Sequence, residues 1–225
     1  MIYLFCNEQY GESFIRSIQQ YQSTRDNLHV ALVFSSKTEA SKSKLKTHLR
    51  LIIDKFRSIL LQFQKTSFYK LPVLIVNDIN KPRFYSRISN EDIGIIAGFN
   101  QILKGVTIGR FKYIFNFHPS LLPFYRGPVP SYWCIKNEET FTGYTLHKVT
   151  ETIDDGNILF QDIVEIGDTR NEHALDRLIA LKAASKLVEL LDHVIFGHPF
   201  HIRTVNAGQL YKHQVDYLSF PKDQE

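Results

Sequence analysis

The sequence predicts an α/β protein built on an open, mostly parallel sheet with helices on both faces and a short C-terminal appendage. Two patterns support this prediction. Short apolar runs, such as Ile2–Cys6, are rich in residues that favour strands and are closed by polar residues or glycine. Between them lie longer segments whose apolar residues recur at helical spacing. Strand–helix–strand alternation of this kind is typical of a parallel sheet that helices cover.

The first half of the chain contains five predicted strands. They span Ile2–Cys6 and residues 29–34, 71–76, 93–97 and 113–117. A helix is predicted at residues 13–21, and a long amphipathic helix at residues 45–63, where apolar side chains recur at helical spacing. This order predicts a Rossmann-like arrangement, in which ligands bind beyond the carboxyl ends of the strands.

The second half of the chain has a different pattern. Strands are predicted at residues 142–149 and 158–166, joined by a loop that contains Asp154, Asp155 and Gly156. A last helix is then predicted to begin with a capping box formed by Thr169 and Glu172. It is predicted to end at Gly197 and Pro199.

The chain is expected to contain one main domain, residues 1–200, and a C-terminal appendage, residues 201–225. The appendage has aromatic residues but little periodicity. It is interpreted as a short hairpin or a tail, and its aromatic residues suggest a subunit contact in a homodimer.

Composition excludes several classes of protein. The chain has 225 residues and a formal net charge of +4, and its basic cluster alternates with apolar residues as on a solvated helix face. No nucleic-acid partner is therefore predicted. Cys6 and Cys134 are the only cysteines and no Cys/His metal spacing occurs, so no metal site is predicted. Without a signal peptide or an apolar run of roughly 20 residues, the chain is predicted to be cytoplasmic, with no membrane partner.

Polar side chains are concentrated in residues 115–132, FNFHPSLLPFYRGPVPSY. Asn116 and His118 lie two apart at the end of the fifth predicted strand, so their side chains project to the same side of the sheet. The loop that follows is rich in proline and loses little entropy when it becomes ordered. A structural role for the pair stays open, but this stiff loop favours a functional one.

A carboxylate is expected to join this pair from residues 142–156. The loop there contains Asp154, although Asp-Asp-Gly alone is a common turn. An amide, an imidazole and a carboxylate together can stabilise an oxyanion and move protons. His147 is interpreted as a packing or hydrogen-bonding residue of the strand. No nucleophile elbow, Walker loop or dinucleotide glycine pattern occurs, which argues against covalent catalysis, ATP use and classical dinucleotide binding.

NFHPSLLPFYRG, the later TGYTLH and the Asp-Asp-Gly loop resemble the formyltransferase family. That family includes glycinamide ribonucleotide formyltransferase, methionyl-tRNA formyltransferase and the nucleotide-sugar N-formyltransferases. Asn116, His118 and Asp154, the last 36 positions after the histidine, match the family's signature. The resemblance covers residues 92–162 and implies that residues 1–200 form a formyltransferase catalytic domain.

The resemblance implies 10-formyltetrahydrofolate as the cosubstrate, without a metal. Asn116 and a protonated His118 would donate hydrogen bonds to the formyl oxygen as an amine attacks, and Asp154 would keep His118 charged and relay the amine's proton. IIAGFNQIL, residues 95–103, is similar to a family segment whose backbone contacts the folate. Mapped onto this chain, the implied cofactor-binding residues are Gln101, Ile102, Leu103, Thr150 and Ile153.

The implied acceptor is a nucleotide-linked amino sugar, because FYRGPVPSYW and TGYTLH look most like the sugar branch of the family. That branch implies a role in bacterial surface glycans such as O-antigen and lipopolysaccharide. The purine branch has a phosphate loop rich in glycine and serine, which CNEQYGESF lacks, and no basic patch for RNA is concentrated near the C-terminus. The expected substrate contacts are Asn7, Tyr10 and Arg126.

Alternatives to this interpretation stay open. The acceptor amine could be that of glycinamide ribonucleotide or methionyl-tRNA. Water could replace the amine, which would make the protein a formyltetrahydrofolate hydrolase. The chain could also bind folate or a nucleotide without catalysis, or Asn116 and His118 could serve the fold alone.

Overall fold

The computed structural model describes residues 1–25, 28–36 and 64–197. The chain divides into two compact units, Met1–Ile114 and Phe115–Glu225. The predicted domain of residues 1–200 therefore contains a division that the sequence pattern did not indicate. The predicted appendage of residues 201–225 lies outside the described residues.

The first unit is a parallel α/β unit. Its strands are hydrogen-bonded in the order β3-β2-β1-β4, and Ile2 pairs with Val30 on one side and Ile93 on the other. All five residues of the central strand β1 are buried, which accounts for its apolar sequence. The elements are β1 (Ile2–Cys6), α1 (Glu8–Gln22), β2 (Val30–Ser35), β3 (Val73–Val76), α2 (Pro82–Tyr85), β4 (Ile93–Ala97) and α3 (Gly105–Ile108), and residues 64–69 are also helical.

The second unit is an antiparallel sheet with two helices. Strand β5 runs into this unit and pairs with β6, which in turn pairs with β7. Trp133 and Tyr144 are the largest side chains buried in its core, and the last helix buries its apolar residues against the preceding helix and β6. The elements are β5 (Tyr113–His118), α4 (Pro130–Lys136), β6 (Phe141–Lys148), β7 (Ile158–Glu165) and α5 (Glu172–Phe196).

The strand order is β3-β2-β1-β4-β5-β6-β7 in a seven-stranded sheet. The predicted fold class, an open and mostly parallel α/β sheet, is therefore confirmed. Each of the seven strands lies where the sequence predicts it, within two residues at either end.

The long helix predicted at residues 45–63 lies outside the described residues. Within the described part of the chain, no helix has the length and apolar character needed to cross a bilayer.

Two helix starts differ from the prediction. Helix α1 begins at Glu8 rather than residue 13, because the side chain of Asn7 accepts a hydrogen bond from the backbone N–H of Tyr10 and caps the helix. The predicted capping box of Thr169 and Glu172 is wrong. Asn171 is the N-cap of α5, and its side chain accepts from the N–H of Ala174. The predicted end of the helix at Gly197, which has a φ of 70°, is confirmed.

We expect Asn171→Ala to lower the free energy of unfolding by about 1 kcal/mol, because the first turn of α5 loses its side-chain cap. Urea unfolding followed by circular dichroism measures the loss. Thr169→Ala is the matched control and should leave the unfolding midpoint nearly unchanged. Equal losses in the two variants would show that Asn171 does not supply the cap.

Candidate active site

Strands β5 and β6 place the first polar side chains of the site. The antiparallel register pairs Asn116 with His147 and His118 with Thr145. Residues two apart on a strand face the same side of a sheet, so both histidines and Asn116 lie on one face. The loop that follows β6 then brings Asp154 to them. Asn116, His118 and Asp154 all belong to the second unit, and the structure brings these three side chains together.

The carboxylate of Asp154 is at the centre of the cluster. Oδ2 lies 3.4 Å from Nδ1 of His118 and accepts a hydrogen bond of 2.7 Å from the N–H of Gly127. Oδ1 lies 3.5 Å from Nε2 of His147 and 3.4 Å from Nδ2 of Asn116. One carboxylate therefore contacts two imidazoles, an amide and a backbone N–H.

His147 belongs to this cluster, although the sequence suggested only a packing or hydrogen-bonding role. Its Nδ1 donates to the carbonyl of Lys148 at 3.0 Å, so Nε2 faces the site. Nε2 lies 3.0 Å from Nδ2 of Asn116, from which a neutral ring accepts a hydrogen bond. The predicted strand at residues 142–149 already put His147 on one face with Thr145. The missing information was the register that sets His147 opposite Asn116.

His118 is held by the loop that follows it in the sequence. Its Nε2 donates to the carbonyl of Tyr125 at 2.8 Å. Tyr125 has a φ of 56°, and its hydroxyl donates to Glu139 and accepts from Asn137. Ser120 donates to the carbonyl of Phe124 at 2.7 Å. The loop thus orients the ring of His118 through a backbone carbonyl.

A buried polar contact fixes the first part of this loop to β6. The hydroxyl of Thr145 donates to the carbonyl of Ser120 at 2.6 Å and accepts from the N–H of Leu122 at 3.0 Å. Gln161 of β7 donates both to the carbonyl of Leu122 and to Thr145. Because these groups are buried and satisfied, they resist displacement. The face of β6 that carries His147 therefore also anchors the loop that holds His118.

The loop that carries Asp154 has an unusual backbone. Asp154 itself has a φ of 49°, a conformation that costs a non-glycine residue about 1–2 kcal/mol. Gly156 lies so close to the carbonyl oxygen of Lys148 that a Cβ would overlap it. The closure of the loop therefore requires glycine at 156, and contacts elsewhere must hold Asp154 in its strained conformation.

Asp155 takes no part in the cluster. Its carboxylate lies 3.2 Å from Nη1 of Arg126, whose Nε and Nη2 both donate to the carbonyl of Ile153, at 3.2 and 2.6 Å. Two adjacent acids are thus separated by the loop conformation: Asp154 faces the histidines and Asp155 faces the arginine. The sequence left open which acid titrates with His118, and the structure shows that Asp154 contacts it.

Electrostatic effects on His118 oppose one another. Burial lowers its pKa, whereas the carboxylate of Asp154 and the carbonyl of Tyr125 act to raise it, and burial has the larger effect. Asp154 thus favours the imidazolium but does not outweigh burial, and the role of keeping His118 charged stays a prediction. Burial also acts to raise the pKa of Asp154, but His118, His147 and the N–H of Gly127 together hold it well below its usual range.

The segment of the first unit that was expected to bind the cofactor is hydrogen-bonded to the end of β3 and to the residues after it. The side chain of Gln101 donates to Ser35 and to the carbonyl of Val76, and accepts from the N–H of Ile79. The carbonyl of Ile102 accepts from Asn80, while its side chain is 65% exposed and that of Leu103 is buried. Gln101 thus stabilises the carboxyl ends of β2 and β3, and the exposed side chain in this segment is that of Ile102.

The remaining predicted residues have differing surroundings. Thr150 and Ile153 are exposed in the Asp154 loop, and the hydroxyl of Thr150 donates to the carbonyl of Thr152. Asn7, in the first unit, is exposed and uses its side chain to cap α1. Tyr10 is buried and stacks on Phe14, with 5.6 Å between ring centroids. Arg126 is 7% exposed and contacts other residues of its own unit.

The cluster has the components needed to stabilise an anion and transfer a proton. Nδ2 of Asn116 and Nδ1 of His118 both lie 3.4 Å from Asp154, which is long for a hydrogen bond to a carboxylate. Groups held by such long contacts can turn to a new acceptor, because catalytic hydrogen bonds often become shorter only when substrate is bound. Among the described residues, no group of histidine, cysteine and acidic side chains could hold a metal ion.

The chain belongs to the formyl transferase family, whose model matches residues 4–191. Among curated relatives, a methionyl-tRNA formyltransferase from Geobacter metallireducens is 34% identical over 131 residues, which are 56% of this chain and 42% of the relative. The chain thus spans about two fifths of the length of the curated relatives it matches.

Solved structures confirm the fold. A 4-N formyltransferase from Francisella tularensis superimposes with a TM-score of 0.70, at 19% identity over 100% of this chain and 81% of the other. An N-formyltransferase from Helicobacter canadensis, in complex with folinic acid and dTDP-3-aminofucose, superimposes with a TM-score of 0.59 at 20% identity. The superposition covers 95% of this chain and 70% of the other. A glycinamide ribonucleotide transformylase from Symbiobacterium toebii superimposes with a TM-score of 0.63 at 17% identity, and the superposition covers 91% of this chain and 93% of the other.

We expect the His118 ring to titrate below the ordinary histidine value of about 6.5, and to titrate lower still in Asp154→Asn, because the variant removes the charge that favours the imidazolium. The pH dependence of its ring-proton chemical shift in NMR measures both midpoints. His118→Gln assigns the resonance. A midpoint that rises in Asp154→Asn would contradict the electrostatic role of the carboxylate.

Proposed function

We propose that this protein transfers the formyl group of 10-formyltetrahydrofolate to the amine of a nucleotide-linked amino sugar. The observation that carries this proposal is the contact of one carboxylate, Asp154, with Asn116, His118 and His147 in a chain of the formyl transferase family. The cluster combines two donors for a developing oxyanion with an ionised carboxylate beside the imidazole, and such donors are what acyl transfer to an amine requires.

The proposed reaction has two stages. The amine nitrogen attacks the formyl carbon, a new C–N bond forms, and the carbonyl electron pair moves to the formyl oxygen. Asn116 and the protonated ring of His118 donate to that oxygen. The amine then gives up a proton through water to Asp154, the carbonyl reforms, and the bond to N10 of the folate breaks. N10 takes up the proton that Asp154 accepted, so tetrahydrofolate leaves neutral at that atom and the carboxylate is restored.

The long contacts of Asp154 support this assignment of roles. Each donor has one firm partner and one weak one: Asn116 lies 3.0 Å from His147 and His118 lies 2.8 Å from the Tyr125 carbonyl, whereas both lie 3.4 Å from Asp154. The firm partners orient the amide and the ring. The weak ones can be exchanged for the formyl oxygen without disrupting the rest of the cluster.

The cofactor residues stay a proposal carried over from the family resemblance. In the first unit they are Gln101, Ile102 and Leu103, whose segment is held by Asn80 and by the Gln101 side chain itself. In the second unit they are Thr150 and Ile153, whose side chains are exposed and which lie near Asp154 in the sequence. Asn7 and Tyr10 are proposed as substrate contacts because they follow the carboxyl end of β1.

The choice of acceptor is supported by the resemblance to the sugar branch and by similar solved structures that are described as sugar N-formyltransferases or as an N-formyltransferase in complex with dTDP-3-aminofucose. Sequence similarity favours a second candidate, methionyl-tRNA, because the curated relatives at 31–35% identity are methionyl-tRNA formyltransferases. A cytoplasmic location, an absence of nucleic-acid and membrane partners, a homodimer and a role in O-antigen or lipopolysaccharide synthesis are parts of the first proposal only.

We expect a nucleotide-linked amino sugar to gain one formyl group when it is incubated with the protein and 10-formyltetrahydrofolate. A panel of such sugars, glycinamide ribonucleotide and methionyl-tRNA, each analysed by mass spectrometry, tests the acceptor. Tetrahydrofolate release without any amine would instead identify a hydrolase. Folate binding by calorimetry with no transfer to any acceptor would identify a non-catalytic binding protein.

We expect Asn116→Ala to lower kcat by about 100- to 1,000-fold, because one oxyanion donor is lost. Asp154→Asn should lower it at least as much, since it removes both the charge that favours the imidazolium and the proton acceptor. Asp168→Asn, an exposed aspartate in the turn after β7, is the control and should keep wild-type kcat. Normal turnover in Asn116→Ala and Asp154→Asn would disprove the assignment of the site.

We expect His147→Asn to lower kcat by about 10- to 100-fold, the range typical of residues that orient a reacting group. The variant removes the ring whose Nε2 holds Asn116 and contacts Asp154. Steady-state kinetics with the accepted amine measures the loss. His173→Asn, at an exposed position of α5, is the control. A wild-type kcat in His147→Asn would return His147 to the packing role that the sequence suggested.

A further inference from the structure

We propose that Arg126 is a positioning residue: it holds the loop that carries Asp154 in place and does not bind the phosphates of the substrate. The proposal rests on the proposed function for its kinetic test but not for its titration test. It replaces the substrate contact that the sequence suggested for Arg126 with a role inside the protein.

The contacts of the guanidinium group carry the proposal. Nε and Nη2 of Arg126 both donate to the carbonyl of Ile153, at 3.2 and 2.6 Å, and Nη1 lies 3.2 Å from the carboxylate of Asp155. Its side chain is 9% exposed, whereas that of Asp155 is 38% exposed. All three guanidinium nitrogens of Arg126 therefore contact Ile153 or Asp155, the residues on either side of Asp154.

The residue after Arg126 completes this grip. The backbone N–H of Gly127 donates to Oδ2 of Asp154 at 2.7 Å. Residues 126 and 127 thus contact three consecutive residues, with Arg126 on Ile153 and Asp155 and Gly127 on Asp154. Because the Gly127 bond depends on the two segments staying in register, loss of the guanidinium contacts would also loosen the carboxylate.

The backbone of Asp154 explains why such a grip is needed. Asp154 has a φ of 49°, a conformation that is less favourable for aspartate than for glycine and is maintained here by the contacts around it. The guanidinium group of Arg126 holds the carbonyl of Ile153 before Asp154 and the carboxylate of Asp155 after it, so Asp154 is held on both sides. A phosphate contact, by contrast, would require an accessible guanidinium, and here Asp155 already neutralises its charge.

The pKa of His118 can distinguish a role of Arg126 in positioning Asp154 from a direct electrostatic effect of the Arg126 charge on the ring. The charged groups that act on His118 are Asp154, which raises its pKa, and His147 and Arg126, which lower it, with Asp154 the largest of the three. Removing the positive charge of Arg126 alone would raise the His118 midpoint. Displacing the carboxylate of Asp154 would lower it. The sign of the change therefore reports which effect operates.

The experiment compares Arg126→Met and Arg126→Lys with wild type and with Arg170→Met. Arg170 is a matched control, because it also donates to two backbone carbonyls, those of Gly167 and Thr169, but is exposed and lies outside the site. The readouts are the NMR midpoint of His118 in the free protein, kcat, and the KM of the accepted amine. Circular dichroism establishes that each variant is folded.

Positioning predicts that the His118 midpoint falls in Arg126→Met and that kcat falls by about 10- to 100-fold, while the KM of the amine stays within about twofold of wild type. Arg126→Lys keeps the charge but has no fork for two partners, so it should lose most of the same activity. Arg170→Met should match wild type in every readout.

Several results would overturn the proposal. They are a raised His118 midpoint in Arg126→Met, wild-type kcat and midpoint in Arg126→Lys, and a large rise in the KM of the nucleotide substrate with kcat unchanged. If Arg126→Met does not fold, Arg126→Lys and Asp155→Asn decide the matter by the same readouts. If the wild-type protein transfers no formyl group, the proposed function fails, and the His118 titration still tests the positioning role.

Discussion

The site depends on the contact between the ionised carboxylate of Asp154 and the buried imidazole of His118. Burial disfavours a charge on the ring, and the carboxylate partly compensates for that cost. Each group favours the charged form of the other: the carboxylate acts to raise the pKa of His118, and His118 acts to lower the pKa of Asp154. The site therefore depends on the contacts that hold these two groups at 3.4 Å.

Two loops hold this pair, and both have strained backbones. Tyr125 and Val129 in the loop after β5, and Asp154 in the loop after β6, have positive φ values without being glycine. The strain is offset by polar contacts: Thr145 and Gln161 hold the first loop to the strands, and Arg126 and Gly127 join the second loop to the first. Strain that is imposed in this way typically occurs where a protein must fix a functional group.

Much of this arrangement follows from local sequence. The strands were predictable because apolar runs bounded by polar residues admit few other structures, and Asn116 and His118 were predictable because the period of a strand puts both on one face. The cap at Asn171 was missed because Thr169 and Glu172 satisfy the same local rule three residues apart. The path of the chain into α5 decides whether Thr169 or Asn171 caps the helix.

The sequence by itself determined the strands and the fold class, which depend on local periodicity, and its resemblance to a known family indicated which amide, imidazole and carboxylate to expect together. The tertiary structure alone decided which partners those groups have. It set His147 opposite Asn116, turned Asp154 towards the histidines and Asp155 towards Arg126, and buried the Arg126 guanidinium. The physical reason is that register, loop path and burial arise from contacts between residues far apart in the chain, and such contacts leave no local pattern.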